Sequence, residues 1–215
     1  MKLESPKPEI KAPSTVDRLK NMADRLIGYE SKEQEHEPNE TKNAAPINPD
    51  KLIEPTNKEY RDDNGKLFRK GNELIPNNTY VENGYSYCTD SEGRVKSAEG
   101  RLQLSKEPRK QISDSMETIG KGDQKEDDQK GHLIADRFGG GNGLENIVAM
   151  DGRVNQSDYK RIENTCAKAL ESGHEVYLKV VPKYGKSSNR PTSFRITYTI
   201  DGEKTVTTIK NGANK

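Results

Sequence analysis

The chain has no tryptophan, three phenylalanines, two cysteines and three histidines among 215 residues, and only 29% of it is apolar. With 33% of residues charged, part of it cannot bury enough apolar surface to offset the entropy of ordering, and that deficit is expected to be local. The length suits one substantial domain, or one domain with a tail, and argues against two full domains. Cys88 and Cys166 make no disulfide framework, and no CxxC pair or Cys/His cluster suggests zinc. Cys166 falls at an apolar helix position and reads as a buried free thiol. No apolar run is long enough to cross a bilayer, and Met1 to Ser14 lacks the apolar stretch of a signal peptide. The chain is therefore expected to be soluble, with any export route encoded elsewhere.

Charge is balanced overall but not along the chain. Residues 1–60 carry 10 basic and 12 acidic side chains, whereas residues 174–215 carry 8 and 3. The basic end fits a surface facing a polyanion, and it equally fits lysines that only keep strands soluble.

Val16, Leu19, Met22, Ala23, Leu26 and Ile27 recur at helical spacing behind Ser14 and Thr15, which predicts a short amphipathic helix over 15–29. From Ser31 to Lys58 the composition is that of a flexible linker. This places residues 1–58 apart from a domain at 59–215. Within that domain, turn signals at Asp63-Asn64-Gly65, Asn83-Gly84 and Ser91-Glu92-Gly93 separate strand-like runs at 66–69, 79–81, 85–89 and 95–104. Tyr159, Ile162, Cys166, Ala169 and Leu170 share one face of a helix from about Gly152 to Ser172, stopped by Gly173. Strands follow at 176–181 and 194–200, the second closed by Asp201-Gly202. Strands, loop, helix, strands is an α+β order.

The chemistry concentrates in two stretches. In Asp128-Gln129-Lys130-Gly131-His132 a histidine directly follows glycine, with carboxylates upstream and the run Gly139-Gly140-Gly141-Asn142-Gly143 downstream. Imidazole, with an unperturbed pKa of about 6.5, is the side chain best suited to take a proton near neutrality. His36 lies in the linker and His174 just after the helix stop. In the second stretch, Asn155 and Glu163 stand eight residues apart on the predicted helix, about 80° from each other around its axis, so both can face one site. An Asn carbonyl oxygen is a hard ligand suited to Mg²⁺, which keeps most of its waters, and a nearby Glu can hold those waters. The glycine run lacks the GxxxxGK[ST] phosphate-loop pattern and reads as a flexible turn between the His strand and the helix.

Residues 128–163 resemble the DNA/RNA non-specific endonucleases of the ββα-metal, or His-Me finger, type. In these a strand bearing an Asp-Arg-Gly-His motif faces a helix that carries the metal ligand. Gly131-His132 matches that motif, Lys130 stands where it has Arg, and the spacing of Asn146, Asn155 and Glu163 is similar to the family's. Asp128 lies four residues before His132 rather than three, a spacing similar to that of the branch found at the C-termini of bacterial polymorphic toxins; its role stays open. The resemblance extends over about residues 74–212. It implies a ββα-metal core with an antiparallel sheet and catalysis by His132, with contributions from Lys130, Asp128 and Arg161. It further implies Mg²⁺ or Mn²⁺ held at Asn155 with Glu163 outside it, and support from Asn146 and Gly131. The substrate implied is DNA, RNA or both. The toxin branch implies a secreted effector that acts in a target cell cytoplasm and is neutralised by an immunity protein. Two other readings keep the fold: a secreted nutritional or defence nuclease, and an inactive binding module.

Overall fold

The computed structural model describes residues 57–108 and 110–212; the helix expected at 15–29 and the linker up to residue 56 lie outside the described residues. Three short strands, β1 (Glu59–Arg61), β2 (Leu67–Lys70) and β3 (Glu73–Leu74), open the fold as a small antiparallel sheet. Arg69 ties it to the rest through a buried two-pronged pair with Asp114, at 2.7 and 2.6 Å. That pair sits just before the single-turn helix α1 (Met116–Gly120), whose first turn is capped by Ser115 Oγ accepting from the Thr118 N–H at 3.0 Å.

Side-chain alternation builds the main sheet. In β5 (Tyr85–Thr89) residues 85, 87 and 89 are buried and 86 and 88 only partly so, the signature of a strand with one face on a core. It joins β4 (Thr79–Glu82), β6 (Val95–Arg101), β9 (Val176–Tyr184), β10 (Pro191–Ile200) and β11 (Glu203–Lys210) in the order β11-β10-β9-β6-β5-β4, each neighbour antiparallel. Two-residue turns with positive φ at both positions, Asn83-Gly84 and Asp201-Gly202, close the β4–β5 and β10–β11 hairpins. The edge strand β11 has no counterpart in the sequence-based expectations. Its exposure alternates, but none of its side chains is fully buried and its two apolar residues, Val206 and Ile209, fall on opposite faces, so the apolar pattern does not betray the strand.

Between β6 and β9 the chain inserts a two-stranded unit followed by a helix. Strand β7 (Asp128–His132) pairs antiparallel with β8 (Ile147–Asp151), placing His132 opposite Ile147 and Asp128 opposite Asp151. The chain then turns into a helical stretch that runs through a wide π turn (Val154–Tyr159) into α2 (Lys160–Glu171). The helix expected from 152 to 172 is thus present but not uniform, because the π turn winds more residues per turn. Its predicted apolar face packs on the sheet: Tyr159 meets Phe194 edge-on with ring centroids 5.8 Å apart, and Ile162 and Leu170 pack against the same core. Cys166 is a buried free thiol, pushed up to about 12 by burial. The helix ends as expected, with the Gly173 N–H donating to Leu170 O and the His174 N–H to Ala169 O, both at 3.0 Å. Among the described residues no helix is long and apolar enough to cross a membrane.

Candidate active site

A strand presents a catalytic group well only if its end is held, and several buried contacts hold this one. Gly131 is required by close approach: a Cβ there would lie 2.6 Å from Met150 Cβ and 2.8 Å from Met150 Cε on β8. Beyond His132, Asn146 is fully buried and braces the loop from three sides. Its Oδ1 accepts from the Ile134 N–H at 2.8 Å, and its amide donates to Ile134 O at 2.7 Å and to Gly141 O at 2.8 Å. From α2's side, the Tyr159 hydroxyl donates to Leu133 O at 2.8 Å. The glycine run is not the flexible turn expected from composition. A Cβ on Gly140 would overlap the Ile134 carbonyl, and one on Gly141 or Gly143 the Glu145 carboxylate. The loop is packed, with the Gly143 N–H donating to Glu145 Oε1 at 2.9 Å, and β8 separates it from the helix.

His132 Nε2 lies 2.8 Å from Asn142 Oδ1. Asn142 in turn directs its amide nitrogen to Asp136 Oδ1 at 3.3 Å. The imidazole faces a cleft of about 480 Å³ lined also by Gln129, Lys130, Asp136, Asn155 and Glu163. Two strand residues, one loop carboxylate and two helix residues that are far apart in sequence therefore share one space with His132. Arg137 and Lys160 add positive charge to the same walls, which suits a polyanion.

Asn155 donates its amide to Gln129 Oε1 at 3.1 Å. This bond uses the nitrogen and leaves the carbonyl oxygen as the end offered to a hard cation. Among the described residues no three His, Cys, Asp or Glu side chains cluster as a metal cage. A carbonyl oxygen with the Asp136 and Glu163 carboxylates on the same walls, but no such cage, fits an ion that keeps several waters, as Mg²⁺ does.

Two candidates are not brought to this cleft. Asp128 forms a buried two-pronged pair with Arg190 at the start of β10, both N–O distances 2.6 Å, with the two side chains 1% and 8% exposed. The Lys125 N–H also donates to Asp128 Oδ2, at 2.8 Å. Strict alternation would set Asp128 on the face of Lys130 and His132, but its carboxylate is held by Arg190 instead. Arg161 lines a separate groove between the helix and β11, with Asp158 Oδ1 3.8 Å away. Lys130 does line the cleft, its Nζ reaching Ile112 O at 3.4 Å. The basic C-terminal segment, for which a polyanion-facing surface and a merely solubilising one were both open, contributes no described residue to the cleft walls. Arg190 and Lys179 are instead committed to Asp128 and Glu99.

Sequence reasoning passed over Gln129, Asp136 and Asn142. Gln129 adjoins the motif, and only the fold shows that it meets Asn155. Asp136 and Asn142 sit in a loop whose conformation no periodicity encodes.

The chain is similar to several known proteins. Over 135 residues, 60% of the chain, it is 36% identical to the type VII secretion system protein EssD of Staphylococcus aureus strain USA300, and equally to that of strain NCTC 8325. The match spans 22% of those proteins' length. Among solved structures, NucA from Streptococcus agalactiae with no metal bound is similar at 17% identity and a TM-score of 0.48, over 65% of this chain and 73% of that one. The same protein with magnesium ion bound gives 17% and 0.47, over 65% and 75%. The profile of the DNA/RNA non-specific endonucleases matches residues 76–202, a span that contains β7, β8, α2 and the whole cleft, and the chain belongs to that family.

Proposed function

We propose that this nuclease cuts DNA, RNA or both at the His132 cleft, with His132 as general base. The observation that carries the reading is that His132, Asn155 and Glu163, contributed by a strand and a helical stretch, line one cleft with Lys130, Arg137 and Lys160. In the step proposed, His132 takes a proton from water as the water oxygen bonds to phosphorus, and the opposite P–O bond breaks with its electron pair leaving on the sugar oxygen. Lys130 stands beside His132 in the cleft, positioned to offset charge on the phosphate. Asn155, with Glu163 beyond it, would hold Mg²⁺ or Mn²⁺. Such an ion supplies positive charge for the phosphate and the leaving oxygen when bound.

Incubation of the purified chain with plasmid DNA and with total RNA, in Mg²⁺ and in chelator, tests the reading. Cleavage is expected in Mg²⁺ alone, and His132→Ala is expected to lose about 10² to 10⁴ in rate at equal folded concentration. Unchanged cleavage by His132→Ala overturns the assignment.

The similarity to EssD, a type VII secretion system protein, supports a secreted effector; we propose that its nuclease acts in a target cell and is neutralised by an immunity protein. Expression in a cytoplasm should then reduce viability, with rescue by the cognate partner. The cations at the cleft favour an acidic inhibitor, whose association slows as salt rises. An inhibitor indifferent to salt rules out the charge argument, and a producing cell that tolerates the active nuclease without any inhibitor removes the effector reading.

A further inference from the structure

The structure assigns the edge strand β11, with the groove beside it, as a docking surface for an acidic, extended segment of a partner protein, which pairs there as a seventh strand of the main sheet. The surface lies apart from the His132 cleft and does not rest on the nuclease reading.

A sheet edge presents unpaired N–H and C=O groups, and proteins usually blunt it with short strands, bulges, proline or a covering element. The β4 edge is treated in this way: Val81 donates its N–H to Asp62 Oδ2 at 2.9 Å and accepts from the Asp63 N–H at 2.8 Å, while Lys66 Nζ reaches Thr79 O. The β11 edge is not. It runs for 8 residues without bulge or proline, and among the described residues its neighbour in the sheet is β10 alone. Antiparallel partners exchange hydrogen bonds at every second residue. The Asn211 N–H continues that ladder to Thr192 O at 2.9 Å, so the odd-numbered residues turn their backbone groups to β10. Those of Lys204, Val206 and Thr208 then point outward, and the Val206 side chain beside them is exposed.

The groove selects the chemistry of the partner. It lies between β11 and the helical stretch, with a volume of about 670 Å³. Arg153, Arg161 and Lys210 line it together with a single carboxylate among the described residues, Asp158, and Val154 and Ile162 add apolar surface. An added strand turns every second side chain to this face, where acidic residues meet the three cations. A nucleic acid fits less well. Gln156 lines both the cleft and an adjoining hollow, and that hollow, walled by Glu126, Asp127 and Asp151, leads to Arg153. Phosphates running from the cleft to the groove would lie against those carboxylates.

Amide hydrogen exchange read by NMR on the full chain tests the surface. The N–H groups of Lys204, Val206 and Thr208 are expected to exchange fast in the chain alone, and at least about 10-fold more slowly with a blocked synthetic peptide that alternates Glu with Val and Thr. Val206→Pro removes one outward N–H and spares the β10 ladder, so it should weaken peptide binding about 10-fold or more with cleavage and Tm little changed. Arg153→Glu combined with Lys210→Glu should also weaken it about 10-fold, and so should a rise in salt. Protection of the three amides in the chain alone, whether by other residues of the chain or by a second copy, overturns the proposal. So does equal binding of a peptide with Lys in place of Glu, unchanged binding by either variant, or protection by single-stranded oligothymidylate in chelator rather than by the peptide.

Discussion

Replacing Asp128 with alanine should unfold this protein more readily without disabling the chemistry of the molecules that stay folded. The substitution leaves the Arg190 guanidinium, 8% exposed, without its carboxylate. Its remaining bonds, to Asn211 O at 3.1 Å and Pro191 O at 3.5 Å, go to neutral carbonyls. Breaking a buried pair by removing one partner costs about 3–5 kcal/mol, because the other charge stays desolvated. For a domain of this size, at about 2–4 °C per kcal/mol, that is a loss of about 10 °C in Tm. The pair joins β7 to the start of β10 across 62 residues, so its loss should also loosen the strand that carries His132. Arg190→Met should cost a similar amount from the other side. The double variant should recover part of either loss, since neither charge is then buried alone. Urea unfolding of the four proteins measures this, with cleavage rates scaled to the folded fraction. A cost below about 1 kcal/mol for Asp128→Ala, or a stable Asp128→Ala protein that no longer cuts while Arg190→Met does, would refute the reasoning and return Asp128 to the chemistry.

Other perturbations have equally definite outcomes. Tyr159→Phe strips the Leu133 carbonyl of its buried donor and should cost about 1–3 kcal/mol in a chemical denaturation curve. Burial, and then the charges of Glu145, Asp63 and Asp62, push Glu82 from its ordinary 4.5 up to about 7. The folded form therefore holds this proton where the unfolded chain has released it, and stability should fall as pH rises from about 4.5 to about 7. Glu82→Gln should flatten that part of the curve, and an identical slope in both proteins would exclude Glu82 as the cause. Asn155→Ala should abolish cleavage at ordinary Mg²⁺ while Asn155→Asp restores part of it, a carboxylate being another hard oxygen ligand; full activity of either protein in excess chelator would exclude a metal.

The sequence alone determined the elements whose cause is local. Alternating apolar residues marked β5, two positive-φ dipeptides marked hairpins, and a 3.6-residue apolar repeat ending at Gly173 marked α2. The Gly131-His132 pair and the Asn155 to Glu163 spacing marked the cleft, because both are short-range patterns. Tertiary structure decided whatever depends on which distant segment arrives. Asp128 met Arg190, 62 residues on, rather than the cleft, and Arg161 lines a groove between the helix and β11. The strand β8 was hidden because residues 147 to 150 are all buried, a continuous apolar run without alternation that does not tell strand from helix. One partner of the His132 ring lay in a loop, where backbone conformation follows from packing rather than from any period. Local sequence fixes which residues can do chemistry, while long-range burial and pairing select which of them are placed to do it.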